Sequence, residues 1–140
     1  MEIKYRSELP KLLVDLGLPL IGIELGTAEG YFSFDLLSNG IEKLYSIDMW
    51  QKLNQRGDGG FSQEWHDKNY FSAKERLSVF GDKSIILRGM TYDMSKEIED
   101  NSVGLVYIDA DHSYEAVRSD ILSYWSKIVT GGIMAFHDTE

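Results

Sequence analysis

Five short apolar runs recur along the chain, with polar, helically spaced stretches between them. They cover residues 20–25 (LIGIEL), 43–48 (KLYSID), 84–89 (SIILRG), 103–109 (VGLVYID) and 133–138 (IMAFHD). Apolar residues run on in them rather than alternate, so each predicts a strand buried on both faces. That pattern belongs to a parallel sheet covered by helices on two sides, an α/β architecture. Ser7 is placed to cap a short first helix that Gly17 stops. A second helix over 30–40 ends at Asn39-Gly40, a third covers 64–81 and a weaker one 91–99. In the last, 113–128, Tyr114, Val117, Ile121, Trp125 and Ile128 fall on one face. Gly131-Gly132 breaks that pattern before the fifth strand. Residues 49–64, with Gly57, Gly59 and Gly60, predict a mobile loop long enough to serve as a lid. No repeat or linker divides the chain, which reads as one domain over 1–140.

Ligands of such sheets bind beyond the carboxyl ends of the strands, where the strand order reverses. The chain's polar residues collect there. Glu24 and Gly26 leave the first strand and Asp48 ends the second. Asp109, Asp111 and His112 leave the fourth, and His137 and Asp138 end the fifth. Asp111 serves equally well as a helix cap or a substrate contact. His66 reads as a solvent-exposed residue, and Trp65, Tyr70 and Phe71 as helix packing.

Composition narrows the partners. The chain has 140 residues, 43% of them hydrophobic, enough for one real core. Its net charge of −9 repels nucleic-acid phosphates and anionic lipid, so no nucleic acid and no membrane is expected as partner. It has no cysteine, which excludes disulfides and thiolate metal sites. No apolar run approaches the ~20 residues of a membrane span. The opening MEIKYRSELPKLL lacks a signal-peptide core, so a cytoplasmic location is expected.

The first strand runs into ELGTAEGYF, where Gly26 and Gly30 flank a turn that opens a helix. Small residues there let the backbone approach a ligand, and a helix start offers unpaired N–H groups. A tight turn without a ligand would look similar. The G-x-x-x-G spacing is not the G-x-G-x-x-G of nicotinamide-dependent dehydrogenases. Asp48, at the next strand end, is placed to accept both hydroxyls of a ribose. Together these features favour an adenosine-type ligand.

IELGTAEGYFS followed by LYSIDMW resembles the cofactor site of class I S-adenosylmethionine-dependent methyltransferases. YIDADHSYEAVRSDILSYWSKIVTGGIMAFHD is similar to a branch of metal-dependent O-methyltransferases that act on sugars of natural products, the macrolide-sugar (macrocin-type) enzymes. It is more distantly similar to catechol and caffeoyl-coenzyme A O-methyltransferases. The resemblance covers roughly residues 20–138. It implies a Rossmann-like, doubly wound, mostly parallel sheet, here without the family's last two strands. The fifth strand would then be an exposed edge, which invites a homo-oligomer or a covering partner.

Carried over, the resemblance implies that Gly26, Thr27 and Gly30 line the cofactor's methionine part, with Glu24 near it. Asp48 would bind the ribose, Met49 or Trp50 would cover the adenine, and Gly89, Met90 and Thr91 would lie beside it. A divalent metal, magnesium or manganese, would be held by Asp109, His137 and Asp138. The histidine departs from the family's oxygen-bearing pair, and imidazole suits softer ions than magnesium. His112 would be the general base that deprotonates an acceptor hydroxyl, since histidine titrates near neutral pH. The expected activity is methyl transfer from S-adenosylmethionine to a hydroxyl of a sugar or other small molecule. The competing reading is a truncated, non-catalytic domain that binds the cofactor or a protein partner.

Overall fold

The computed structural model describes residues 5–53, 60–109 and 114–137. Five strands form one sheet: β1 (Ile21–Leu25), β2 (Lys43–Asp48), β3 (Ser84–Arg88), β4 (Val103–Ile108) and β5 (Ile128–Phe136). Their order is β3-β2-β1-β4-β5, and every pairing is parallel. The order reverses between β1 and β4, which sets the ligand crevice of a doubly wound sheet at their carboxyl ends. The helices are α1 (Leu9–Asp15), α2 (Tyr31–Ser38), α3 (Gln63–Leu77), α4 (Thr91–Met94) and α5 (Tyr114–Tyr124).

Two apolar layers cover the sheet. Leu9 and Leu13 of α1, Phe32 and Leu36 of α2 and Leu77 of α3 pack on Leu44, Leu105 and Tyr107. On the other face, Ile98 and Tyr124, with Met94 and Ile121, pack on Ile23, Leu25, Ile47 and Val106. All six residues of β4 are buried, which explains its continuous apolar run. No helix among the described residues is long and apolar enough to cross a membrane.

The first four expected strands recur with shifts of at most one residue, the fifth begins five residues earlier than expected, at Ile128, and three helical expectations need correction. Ser7 does not cap α1: it lies inside a 3-10 turn, Arg6–Glu8, where the Tyr5 N–H donates to Glu8 Oε2 at 3.2 Å. Gly17 does stop α1, at φ +67°, with Leu18 N–H on Leu13 O and Gly17 N–H on Val14 O, a Schellman closure. The third helix ends at Leu77, and a 3-10 segment with Gly81 at φ +57° completes the expected stretch.

The third correction concerns α5. It stops at Tyr124, and Ile128 already opens β5. Its buried residues are Asp120 and Tyr124, whereas Tyr114 and Trp125 are 80% and 67% exposed. Polar bonds set this rotation. Thr91 Oγ1 donates to Asp120 Oδ1 at 2.7 Å, and the Tyr124 hydroxyl donates to Thr91 O. Gly131-Gly132 lies inside β5, not before it. Val103 pairs with Ile128 but Leu105 pairs with Ile133, so the intervening residues bulge from the ladder.

Candidate functional site

Backbone bonds continue past the strand ends and hold the residues there at one level. Gly26 N–H donates to Ile47 O at 2.8 Å, and Asp109 N–H to Leu25 O at 2.8 Å. Gly89 N–H donates to Asp48 O, and His137 N–H to Ile108 O, both at 3.0 Å. Glu24, Gly26, Asp48, Gly89, Asp109 and His137 therefore share one end of the sheet. His112, Asp111 and Asp138 lie outside the described residues.

The turn after β1 is built for close approach. Gly26 and Gly30 have φ of +91° and +86°, and Ala28 between them has φ +50°. A side chain at Gly30 would fall 3.2 Å from Ala73 Cα, so that glycine also lets α2 meet α3. Asp48 reaches across to the turn. Its Oδ2 accepts from Ala28 N–H at 2.8 Å and its Oδ1 from Trp50 N–H at 2.9 Å. Each oxygen keeps acceptor capacity for another donor.

Trp50 is buried to 1% exposure, at φ +43°, and its indole N–H donates to Ala28 O at 2.8 Å. It supports the turn from beneath, while Met49 is half-buried beside it. Thr27 is buried, with its hydroxyl directed at Ile47 O. Met90 is exposed at the third strand end, and Thr91 is tied to α5 through Asp120 and Tyr124. Between α4 and α5, next along the chain from Met90, an open groove of about 530 Å³ is lined by Tyr92, Tyr114, Arg118 and Leu122.

Below the turn, Glu24 is buried to 1% exposure and accepts a hydrogen bond from Ser33 Oγ, which also meets Ser46 Oγ at 2.8 Å. Burial pushes its carboxyl up to a pKa of about 8, against the opposing Ser33 bond. At neutral pH Glu24 is thus a neutral acid.

Several site residues were invisible as such in the sequence. Arg6 is the foremost. Its Nη1 donates to the Tyr107 hydroxyl at 3.3 Å, lies 3.4 Å from His137 Nδ1 and 4.0 Å from Asp109 Oδ2. Its guanidinium also stacks over Phe32 at 4.3 Å. Partial burial works against the charge, but the Tyr107 bond and the Asp109 carboxylate outweigh it and raise the Arg6 pKa. Arg88 and Gln63 both donate to Trp50 O, at 3.0 and 2.9 Å, and both reach Asp67 Oδ1. Arg88 holds the Asp67 carboxyl below its usual range by that bond. This network anchors residues 50–52 to α3 and to the end of β3.

His66, expected at the surface, is buried on α3, and its Nε2 has no hydrogen-bond partner. The inner face of α3, with Asn69 and Ala73, carries it inward. Tyr70 packs on Trp50 as expected of helix packing, whereas Phe71 is 62% exposed. Among the described residues, no three His, Cys, Asp or Glu side chains converge as a metal-binding group.

A family model described as a methyltransferase domain matches residues 23–139. One curated relative, "Uncharacterized protein y4gI" of Sinorhizobium fredii, is 28% identical over 123 residues, which cover 84% of this chain and 13% of that protein. Among solved structures, the chain is similar to an rRNA methylase from Streptococcus thermophilus, with TM-score 0.64 and 13% identity over 100% of this chain and 76% of that one. It is also similar to the O-methyltransferase from Bacillus cereus in complex with SAH, with TM-score 0.55 and 15% identity over 87% of this chain and 52% of that one. The chain spans 52–57% of several further methyltransferase structures of this fold.

Proposed function

The chain belongs to the methyltransferase-domain family, and from that premise we propose that it binds S-adenosylmethionine at the β1 turn as a single domain and transfers the methyl group to a hydroxyl oxygen. One observation carries the cofactor reading. The Asp48 carboxylate at the end of β2 is fixed by two backbone N–H groups beside a turn held open by Gly26 and Gly30. A carboxylate fixed there is pre-organised to receive the two hydroxyls of a ribose. Gly26, Thr27 and Gly30 would line the methionine part, with neutral Glu24 beneath it. Met49 offers the adenine cover, on the platform that Trp50 supports, and Gly89, Met90 and Thr91 flank the other side.

His112 is the base we assign to the acceptor hydroxyl. In the sequence it follows the end of β4 by four residues and Asp109 by three, and the Asp109 N–H is bonded to Leu25 O at the end of β1. Methyl transfer is an in-line displacement at a sulfonium carbon: the C–S bond breaks as the O–C bond forms, and the base takes the hydroxyl proton. The net charge of −9 favours a small hydroxylated acceptor over an RNA. We propose self-association along β5, and the support for it is that the far edge of β5 pairs with no strand among the described residues.

Calorimetric titration with S-adenosylmethionine tests the reading. Wild type and His112→Ala should bind alike, and Asp48→Ala should bind at least tenfold more weakly. At saturating S-adenosylmethionine, transfer to a screened hydroxyl acceptor should stay slow in His112→Ala and recover in Asp48→Ala. Equal loss of binding in both variants would overturn the role assignment. No binding by folded wild type would overturn the function.

A further inference from the structure

The resemblance implies a divalent metal on Asp109, His137 and Asp138, and the described part of that set does not fit one. The same guanidinium nitrogen, Arg6 Nη1, lies 3.4 Å from His137 Nδ1 and 4.0 Å from Asp109 Oδ2. A divalent ion would need to sit about 2.0–2.2 Å from an imidazole nitrogen or carboxylate oxygen. Bound to either ligand, it would stand beside a cation already in place. Arg6 is also not a loose surface side chain. Tyr107 accepts its hydrogen bond, and Phe32 lies under its guanidinium plane.

We infer that Arg6 is the resident cation of this strand-end site, in the position where the resembling enzymes use a metal. Its charge is fixed at every physiological pH, and it is delivered from the turn that precedes α1 rather than from a strand end. It balances the Asp109 carboxylate and holds the His137 ring by the hydrogen bond or contact at Nδ1. Arg6 is a positioning residue here, and no step of the reaction passes through a metal. The inference rests on the methyl-transfer reading only in naming what the site is for. The exclusion of a divalent ion stands on the Arg6 geometry.

The test is manganese binding, read from the paramagnetic signal of free Mn²⁺ as the chain is titrated with the ion alone. The variant is Arg6→Met, which keeps an unbranched stem over Phe32 while removing the charge. Arg6→Gln serves if the methionine variant is not folded by circular dichroism. Wild type should leave the free-ion signal unchanged. Arg6→Met should take up manganese at least tenfold more tightly, and adding Asp109→Ala should abolish that gain. Stoichiometric manganese binding by wild type, lost in Asp109→Ala, would overturn the inference. So would an Arg6→Met chain that binds no more manganese than wild type. SAH titration of the same samples reports separately on the proposed function. Failure there would sink the cofactor reading and leave the manganese result to decide the role of Arg6.

Discussion

Trp50, after β2, and Ala28, in the turn after β1, are cross-linked by a 2.8 Å bond from the indole N–H to the Ala28 carbonyl, and both have left-handed backbone. Asp48 accepts the N–H of each. Left-handed conformation costs a non-glycine residue about 1–2 kcal/mol, so each strained residue is held by bonds to the other's segment. The turn is therefore formed before any ligand arrives.

Trp50→Phe should remove the indole bond, leave the Ala28 carbonyl without that donor and open space beside Tyr70. We expect a loss of about 1–3 kcal/mol in urea unfolding, together with weaker S-adenosylmethionine binding. Ala28→Gly should move the other way, by up to about 1 kcal/mol, because glycine accepts positive φ without steric cost. Stability unchanged in both variants would show that the cross-link does not hold the turn.

Glu24 makes stability depend on pH with a definite sign. Its carboxyl holds its proton up to a pKa of about 8 in the folded chain, against 4.5 for an ordinary glutamate. Between those values the folded state keeps a proton that the unfolded chain releases. Stability therefore falls as pH rises from about 4.5 to about 8, by at most about 1.4 kcal/mol per unit, and the contribution levels off above. Glu24→Gln keeps an acceptor for Ser33 and has no proton to lose. The difference between the two chains' urea midpoints should widen with pH across that window. Curves that stay parallel would show Glu24 ionised in the native state.

Gly104 sits where β4 passes under the segment leading into β1. A Cβ there would lie 2.3 Å from Pro19 O, a backbone atom with no rotamer to yield. Gly104→Ala should cost about 1–3 kcal/mol or more, a fall in Tm of several degrees at least. A Gly17→Ala control meets no atom within 4 Å and tests only the positive φ of that cap. Gly104 has no positive φ, so a Gly104→Ala chain as stable as wild type would show that the approach to Pro19 does not constrain β4.

The strands were legible because burial on both faces leaves an unbroken apolar run, and β2 and β4 begin where those runs begin. The strand-end placement of Glu24, Asp48, Asp109 and His137 followed from that alone. The inward face of α5 was legible only in part. Ile121 packs on the sheet as its spacing implied, but Tyr114 and Trp125 are exposed, while Asp120 and Tyr124 turn inward to hydrogen-bond Thr91. Trp50 illustrates a different limit. An indole after a strand end reads the same whether it faces the ligand or supports the turn, and only the Ala28 carbonyl distinguishes them. Arg6 lay furthest from view, because its partners Tyr107 and His137 are 101 and 131 positions away in the chain.

The strand order also governs the timing of assembly. Gly22 pairs with Leu105 at the centre of the sheet, yet β2 and β3 lie between them in the chain. The β1–β2, β2–β3 and β4–β5 pairings close shorter loops, so chain entropy favours them first. The seam between β1 and β4, where the crevice opens, closes late. Until it does, the edges of β1 and β4 that face each other are unpaired in water, the place through which a stalled chain would aggregate. Pulse-labelling hydrogen exchange during refolding should protect the amides that bond β1 to β2 before those that bond β1 to β4, and the reverse order would refute this sequence of events.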